Sequence, residues 1–85
     1  MIKEEIKKGN IVIDVRTKQE YDKKHIQGAI NIKYDCILSG IKNYIRDKNK
    51  KIILYCSNGS RSKIAYNLLT GFGYTNIIDA GKINL

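Results

Sequence analysis

The chain has 85 residues, 42% of them hydrophobic, and its 16 Lys and Arg against 8 Asp and Glu give a formal charge of +8. That length allows a single domain spanning residues 1–85, with a modest core. It contains no apolar stretch long enough to cross a bilayer, and its first eight residues lack the apolar centre of a secretion signal.

Two cysteines without a framework spacing point to a reducing, cytoplasmic setting. The lysines are scattered and the chain is rich in Ile, Asn and Lys, so the charge reads as a solvated surface, with neither nucleic acid nor membrane as partner. Its field still draws in small anions.

In chain order, Ile2 and Ile6 at i, i+4 spacing predict a short amphipathic helix over 2–8, stopped by Gly9-Asn10. Residues 11–15 are a β-branched apolar run, a buried strand that Asp14 interrupts near its carboxyl end. Thr17-Lys18-Gln19-Glu20 is a capping-box pattern that starts a short helix carrying Tyr21. Gly28 turns the chain into a second short strand, 29–32. Ile37, Leu38, Ile41, Tyr44 and Ile45 follow the spacing of an amphipathic helix, interrupted by Gly40. A polar connection, 47–50, leads into the strand 51–55, and a helix from about 62 to 70 carries apolar positions 64, 65, 68 and 69. Gly71-Phe72-Gly73 ends it. A last strand runs over 76–79, and Gly81 begins the tail. Strands alternating with helices imply an α/β architecture, a parallel sheet with helices on both faces joined by right-handed crossovers.

Between the third strand and the last helix lies Cys56-Ser57-Asn58-Gly59-Ser60-Arg61-Ser62. Free cysteine at a strand end can be only a small buried hydrophobe. The small and polar residues after it build no core. They supply flexible backbone, N–H donors and a permanent cation, and Gly59 lets the chain curl so that successive N–H groups face inward as an anion nest. Such a place, at the carboxyl end of a parallel strand and the start of a helix, lowers a thiol pKa and makes Cys56 a nucleophile. Cys36 has no such loop and reads as structural or incidental, a regulatory disulfide with Cys56 being the alternative.

Cys56 to Arg61 resembles the active-site loop of the rhodanese-like sulfurtransferase domain. Ile11-Val12-Ile13-Asp14-Val15-Arg16, His25-Ile26-Gln27-Gly28-Ala29-Ile30-Asn31-Ile32, and Gly73-Tyr74-Thr75-Asn76-Ile77 with Gly81 resemble the same family in the same order. The resemblance implies a three-layer fold in a minimal or truncated version, beginning late and stopping before the family's closing helix. It also implies a thiosulfate sulfurtransferase-like enzyme. Cys56 would take a sulfane sulfur from thiosulfate or a persulfide donor, hold it as a persulfide, and pass it to a thiol or cyanide. Ser57, Asn58, Gly59, Ser60, Arg61 and Ser62 would bind substrate, with the Arg61 fork on the donor's oxyanion. Asp14, Arg16 and His25 would be structural supports, Arg16 meeting Glu20 and His25 orienting Asp14. No metal or cofactor is needed, a protein donor or acceptor is compatible, and the chain would be a monomer or weak dimer.

Four residues between Cys56 and Arg61 make a tighter ring than the five of protein tyrosine phosphatases, and Tyr55 stands where those enzymes have histidine. Phosphatase or arsenate reductase chemistry is therefore disfavoured. A non-catalytic interaction or redox-sensor module remains the alternative. The chain departs from the family pattern at Gln27, where proline is usual, and at Ala80-Gly81, where two glycines and a tryptophan are expected.

Overall fold

The computed structural model describes residues 2–85. Its centre is strand β3 (Ile52–Cys56), in which all five residues are buried. β3 pairs in parallel with β1 (Ile11–Asp14) on one side and β4 (Ile77–Lys82) on the other. β1 in turn pairs in parallel with the two-residue strand β2 (Ile30–Asn31), giving the order β2-β1-β3-β4. A strand flanked by pairs and covered on both faces must be apolar throughout, which is how its sequence reads.

Side chains alternate across the sheet. Ile13, Ile52, Leu54 and Cys56 point to one core, shared with Ile37 and Ile41 of α3 (Ile37–Ile41) and Ala65 and Leu69 of α4 (Ser60–Gly71). Val12, Ile53 and Tyr55 point to the other, closed by Ile2 and Ile6 of α1 (Ile2–Lys7). The remaining helix, α2 (Lys18–Lys23), begins with the expected capping box: Thr17 accepts from the Glu20 amide while the Glu20 carboxylate accepts from the Thr17 amide. Among the described residues no helix is long and apolar enough to cross a membrane.

Three expectations change. The helix after residue 36 is short: a 3₁₀ turn over Tyr34–Cys36 leads into α3, which ends at Ile41, and Tyr44 is exposed rather than packed. Gly40 has a packing reason, because a Cβ there would lie 2.5 Å from Ile32 Cγ2. α4 begins at Ser60, two residues early, and Ile64 and Leu68 face solvent. β4 does not stop at Asp79. Ala80 bulges out of the ladder, Asp79 Oδ1 accepts from the Gly81 amide at 2.9 Å, and Gly81, at φ 70°, lets the strand resume beside Tyr55 and Cys56.

Candidate active site

Cys56 is the last residue of β3, fully buried, with its side chain under the start of α4. Its backbone is held on both sides: Ile83 N–H donates to Cys56 O at 2.9 Å, and Val15 N–H donates to Tyr55 O at 3.1 Å. Ser57, Asn58 and Gly59 make the turn. Gly59 takes φ 86°, a left-handed conformation that glycine adopts without steric cost, and α4 starts at the next residue. Asn58 Oδ1 accepts from the Ser60 amide at 3.1 Å and the Ser60 hydroxyl at 2.9 Å, which fixes the turn from within.

This curl returns backbone amides to the sulfur. Gly59 N–H donates to Cys56 Sγ at 2.9 Å and Ser62 N–H at 3.4 Å. The Ser62 hydroxyl, itself fully buried, lies 3.4 Å from Sγ and 3.2 Å from Gly59 O. Its proton serves the carbonyl while Cys56 is a thiol and the sulfur when it is a thiolate. Burial pushes the Cys56 thiol up, but the Ser62 hydroxyl and the amides of Ser62, Asn58 and Gly59 outweigh it, and the net shift is downward. The ring of donors is narrower than the sequence suggests, because the Ser60 amide turns to Asn58 instead.

Arg61 makes no hydrogen bond to the sulfur. Its guanidinium grips Glu20 with both arms, Nη1 to Oε1 at 2.7 Å and Nη2 to Oε2 at 3.1 Å, and Nη2 also donates to Ser57 Oγ at 2.9 Å. Arg61 chiefly, with Thr17 adding and partial burial opposing, holds the Glu20 carboxyl down at about 2. Glu20 is the residue beside the loop that the sequence does not reveal, because there the capping box and Arg16 account for it. The only signal available was an acidic residue at the helix start, with nothing to reveal a partner 41 positions away.

The support residues are arranged differently from expectation. Arg16 pairs with Asp14, not Glu20, through Nη2–Oδ2 at 2.7 Å and Nε to Oδ1 and Oδ2 at 3.0 and 3.1 Å, and Nη2 reaches Lys24 O at 2.6 Å. His25 Nδ1 lies 2.7 Å from Tyr21 O and its ring stacks on Tyr21, 3.6 Å between centroids, so it packs back on α2 rather than orienting Asp14. Tyr55, in the position before the cysteine, points to the opposite core and accepts from the Ile26 amide at 3.1 Å. Its phenol is pushed up to about 12, mainly by burial, with Asp14 adding. Strand alternation therefore keeps residue 55 from acting on the sulfur. Among the described residues no group of three or more His, Cys, Asp or Glu is placed to hold a metal.

Residues 1–80 match the family model of the rhodanese-like domain. The chain is 39% identical over 71 residues to the thiosulfate sulfurtransferase PspE of Escherichia coli, covering 84% of this chain and 68% of that one. It superposes with a TM-score of 0.81 on a structure described as rhodanese with anions from E. coli, at 37% identity and 86% coverage of each chain. It is also 35% identical over 82 residues to a tRNA uridine(34) hydroxylase of Buchnera aphidicola, of which it spans 25%.

Proposed function

This chain belongs to the rhodanese-like domain family, and on that premise we propose that it is a sulfurtransferase working through a persulfide on Cys56. The observation that carries the reading is the pair of amides, Gly59 and Ser62, aimed at a sulfur at the end of the central strand. In the first half-reaction the Cys56 thiolate attacks the outer sulfur of thiosulfate. A Cys–S–S bond forms, the donor's S–S bond breaks, and its electron pair leaves on sulfite. In the second, a thiolate or cyanide attacks the outer sulfur, forming an acceptor persulfide or thiocyanate and returning the electron pair to Cys56. The inner donors stabilise the anion of the resting and the product state.

Mass spectrometry of the thiosulfate-treated protein tests this. The expected result is the gain of one sulfur atom on Cys56, removed by cyanide. A protein that gains none, without reducing agent present, favours the sensor or interaction module, for which the full burial of Cys56 is the supporting observation.

Two further outcomes follow from the electrostatics. Because the thiol pKa is lowered, the thiolate persists to lower pH than in a free cysteine. The rate of persulfide formation should then climb with pH with its midpoint below about 8.5, the ordinary thiol value; a midpoint at or above that pH removes the electrostatic account. Glu20→Gln keeps an acceptor for Arg61 and Thr17 but deletes the charge that occupies the guanidinium. A dianionic donor should gain, lowering the KM for thiosulfate by up to roughly fivefold, the worth of about 1 kcal/mol, with kcat little changed. An unaltered KM would mean that the Arg61–Glu20 pair only ties α2 to the loop.

A further inference from the structure

α4 carries two apolar stripes, and the sheet uses one. Ala65 and Leu69 are buried, whereas Ile64, Leu68 and Phe72 are 45%, 38% and 45% exposed. Spaced at i, i+4 and i+8, they form one strip about 12 Å long on the outer face of the helix. Single exposed apolar side chains need no explanation; a contiguous row does. The strip begins two residues after Ser62, whose amide touches the Cys56 sulfur, and ends at Phe72, where a groove of ≈ 290 Å³ is lined by Lys42, Ile45, Arg46, Lys48, Phe72 and Tyr74.

The charged side chains that line this groove are all cations. α4 contains no acidic residue. Lys42 and Lys48 hold their ammonium groups 5.7 and 4.6 Å from the Phe72 ring centroid. Among the described residues neither these two nor Arg46 nor Lys63 forms an ion pair with a carboxylate; the pairs lie elsewhere, at Asp14, Glu20, Asp22, Asp35 and Glu5. The carboxylate nearest in sequence, Asp47, accepts from the Asn49 amide. A second copy with a charge of +8 would bring like charges together on this face.

We propose that the outer face of α4 docks an acidic protein segment with its own apolar row, and that this partner exchanges sulfur with Cys56. The proposal rests on the sulfurtransferase reading and names the partner's chemistry: apolar side chains to cover Ile64, Leu68 and Phe72, carboxylates for Lys42, Arg46 and Lys48, and a thiol brought to the loop end of the strip.

Two designed helical peptides, identical in their leucine row and terminal cysteine but flanked by Glu in one and Lys in the other, are compared as acceptors from the persulfide form. The Glu peptide should show a kcat/KM at least tenfold higher, falling as salt is raised. Lys42→Glu/Lys48→Glu should reverse the preference and Leu68→Ser should weaken both peptides, while thiosulfate–cyanide turnover stays within twofold in each variant. Equal rates for the two peptides, or a preference that survives Lys42→Glu/Lys48→Glu, overturn the proposal. So does a dimer in sedimentation that Leu68→Ser dissociates, because a second copy then covers the face. If the unaltered protein shows no thiosulfate–cyanide turnover, it is the sulfurtransferase reading that fails. Anisotropy with cysteine-to-serine versions of the peptides still measures docking, where equal binding of the two overturns it.

Discussion

Cys56→Ser is expected to abolish thiosulfate–cyanide turnover, by at least about 10³-fold, the order of loss when a covalent nucleophile is removed. The physical reason is specific to sulfur. A serine hydroxyl is not ionised near neutral pH, and an oxygen in its place forms no persulfide to carry the transferred atom. The fold should survive, because serine is close in size and its oxygen accepts the Gly59 and Ser62 amides that now meet Sγ at 2.9 and 3.4 Å. The unfolding midpoint therefore separates lost chemistry from lost structure. Cys36→Ser, at an exposed position, should leave turnover unchanged and serves as the control. A Cys56→Ser protein that turns over thiosulfate, or that gains sulfur in the mass spectrum, would remove Cys56 from the mechanism.

The parts of this site readable from sequence are those that local chemistry sets. The uninterrupted apolar run 52–55 means a strand with no solvent face, and β3 is buried throughout. Thr17 and Glu20 sit three apart, so their capping box closes within one helical turn. The rest depends on contacts between distant residues. The Ser62 amide reaches the sulfur because Gly59 takes a left-handed turn and α4 starts at once; small polar residues announce a loop but not the length of its curl. Sequence proximity suggests Arg16 as the partner of Glu20, but Arg16 is claimed by the fully buried Asp14, and Glu20 pairs with Arg61. Ile64 and Leu68 recur at the same helical spacing as Ala65 and Leu69, so the sequence does not say which pair is covered; the sheet buries a single stripe of the helix, and 65 and 69 hold it. The β4 bulge is not legible in the sequence because Asp79 and Gly81 read equally well as a strand end.

The largest stability effect should come from Asp14→Ala. Asp14 is completely buried and Arg16 is 7% exposed, joined through both carboxylate oxygens, with the Arg16 amide donating to Asp14 Oδ1 at 2.9 Å as well. Removing the carboxylate leaves a buried guanidinium held mainly by Lys24 O, and breaking a buried pair in this way costs about 3–5 kcal/mol. A domain of 85 residues has roughly 4–13 kcal/mol to lose, so the urea midpoint should drop steeply or the protein should fail to fold. Asp14→Asn, which keeps the Oδ1 acceptor, should fall in between. Asp14→Ala/Arg16→Met removes the stranded charge together with its partner and should recover most of the midpoint; an Asp14→Ala protein within about 1 kcal/mol of the original would show that the pair bears little of the fold. The double variant also separates two roles. Arg16 anchors the end of α2 through Lys24 O, and α2 carries Glu20, which holds Arg61 against Ser57 in the loop after Cys56. If stability returns without turnover, the Asp14–Arg16 pair positions the loop through α2; if both return together, it supports the sheet alone.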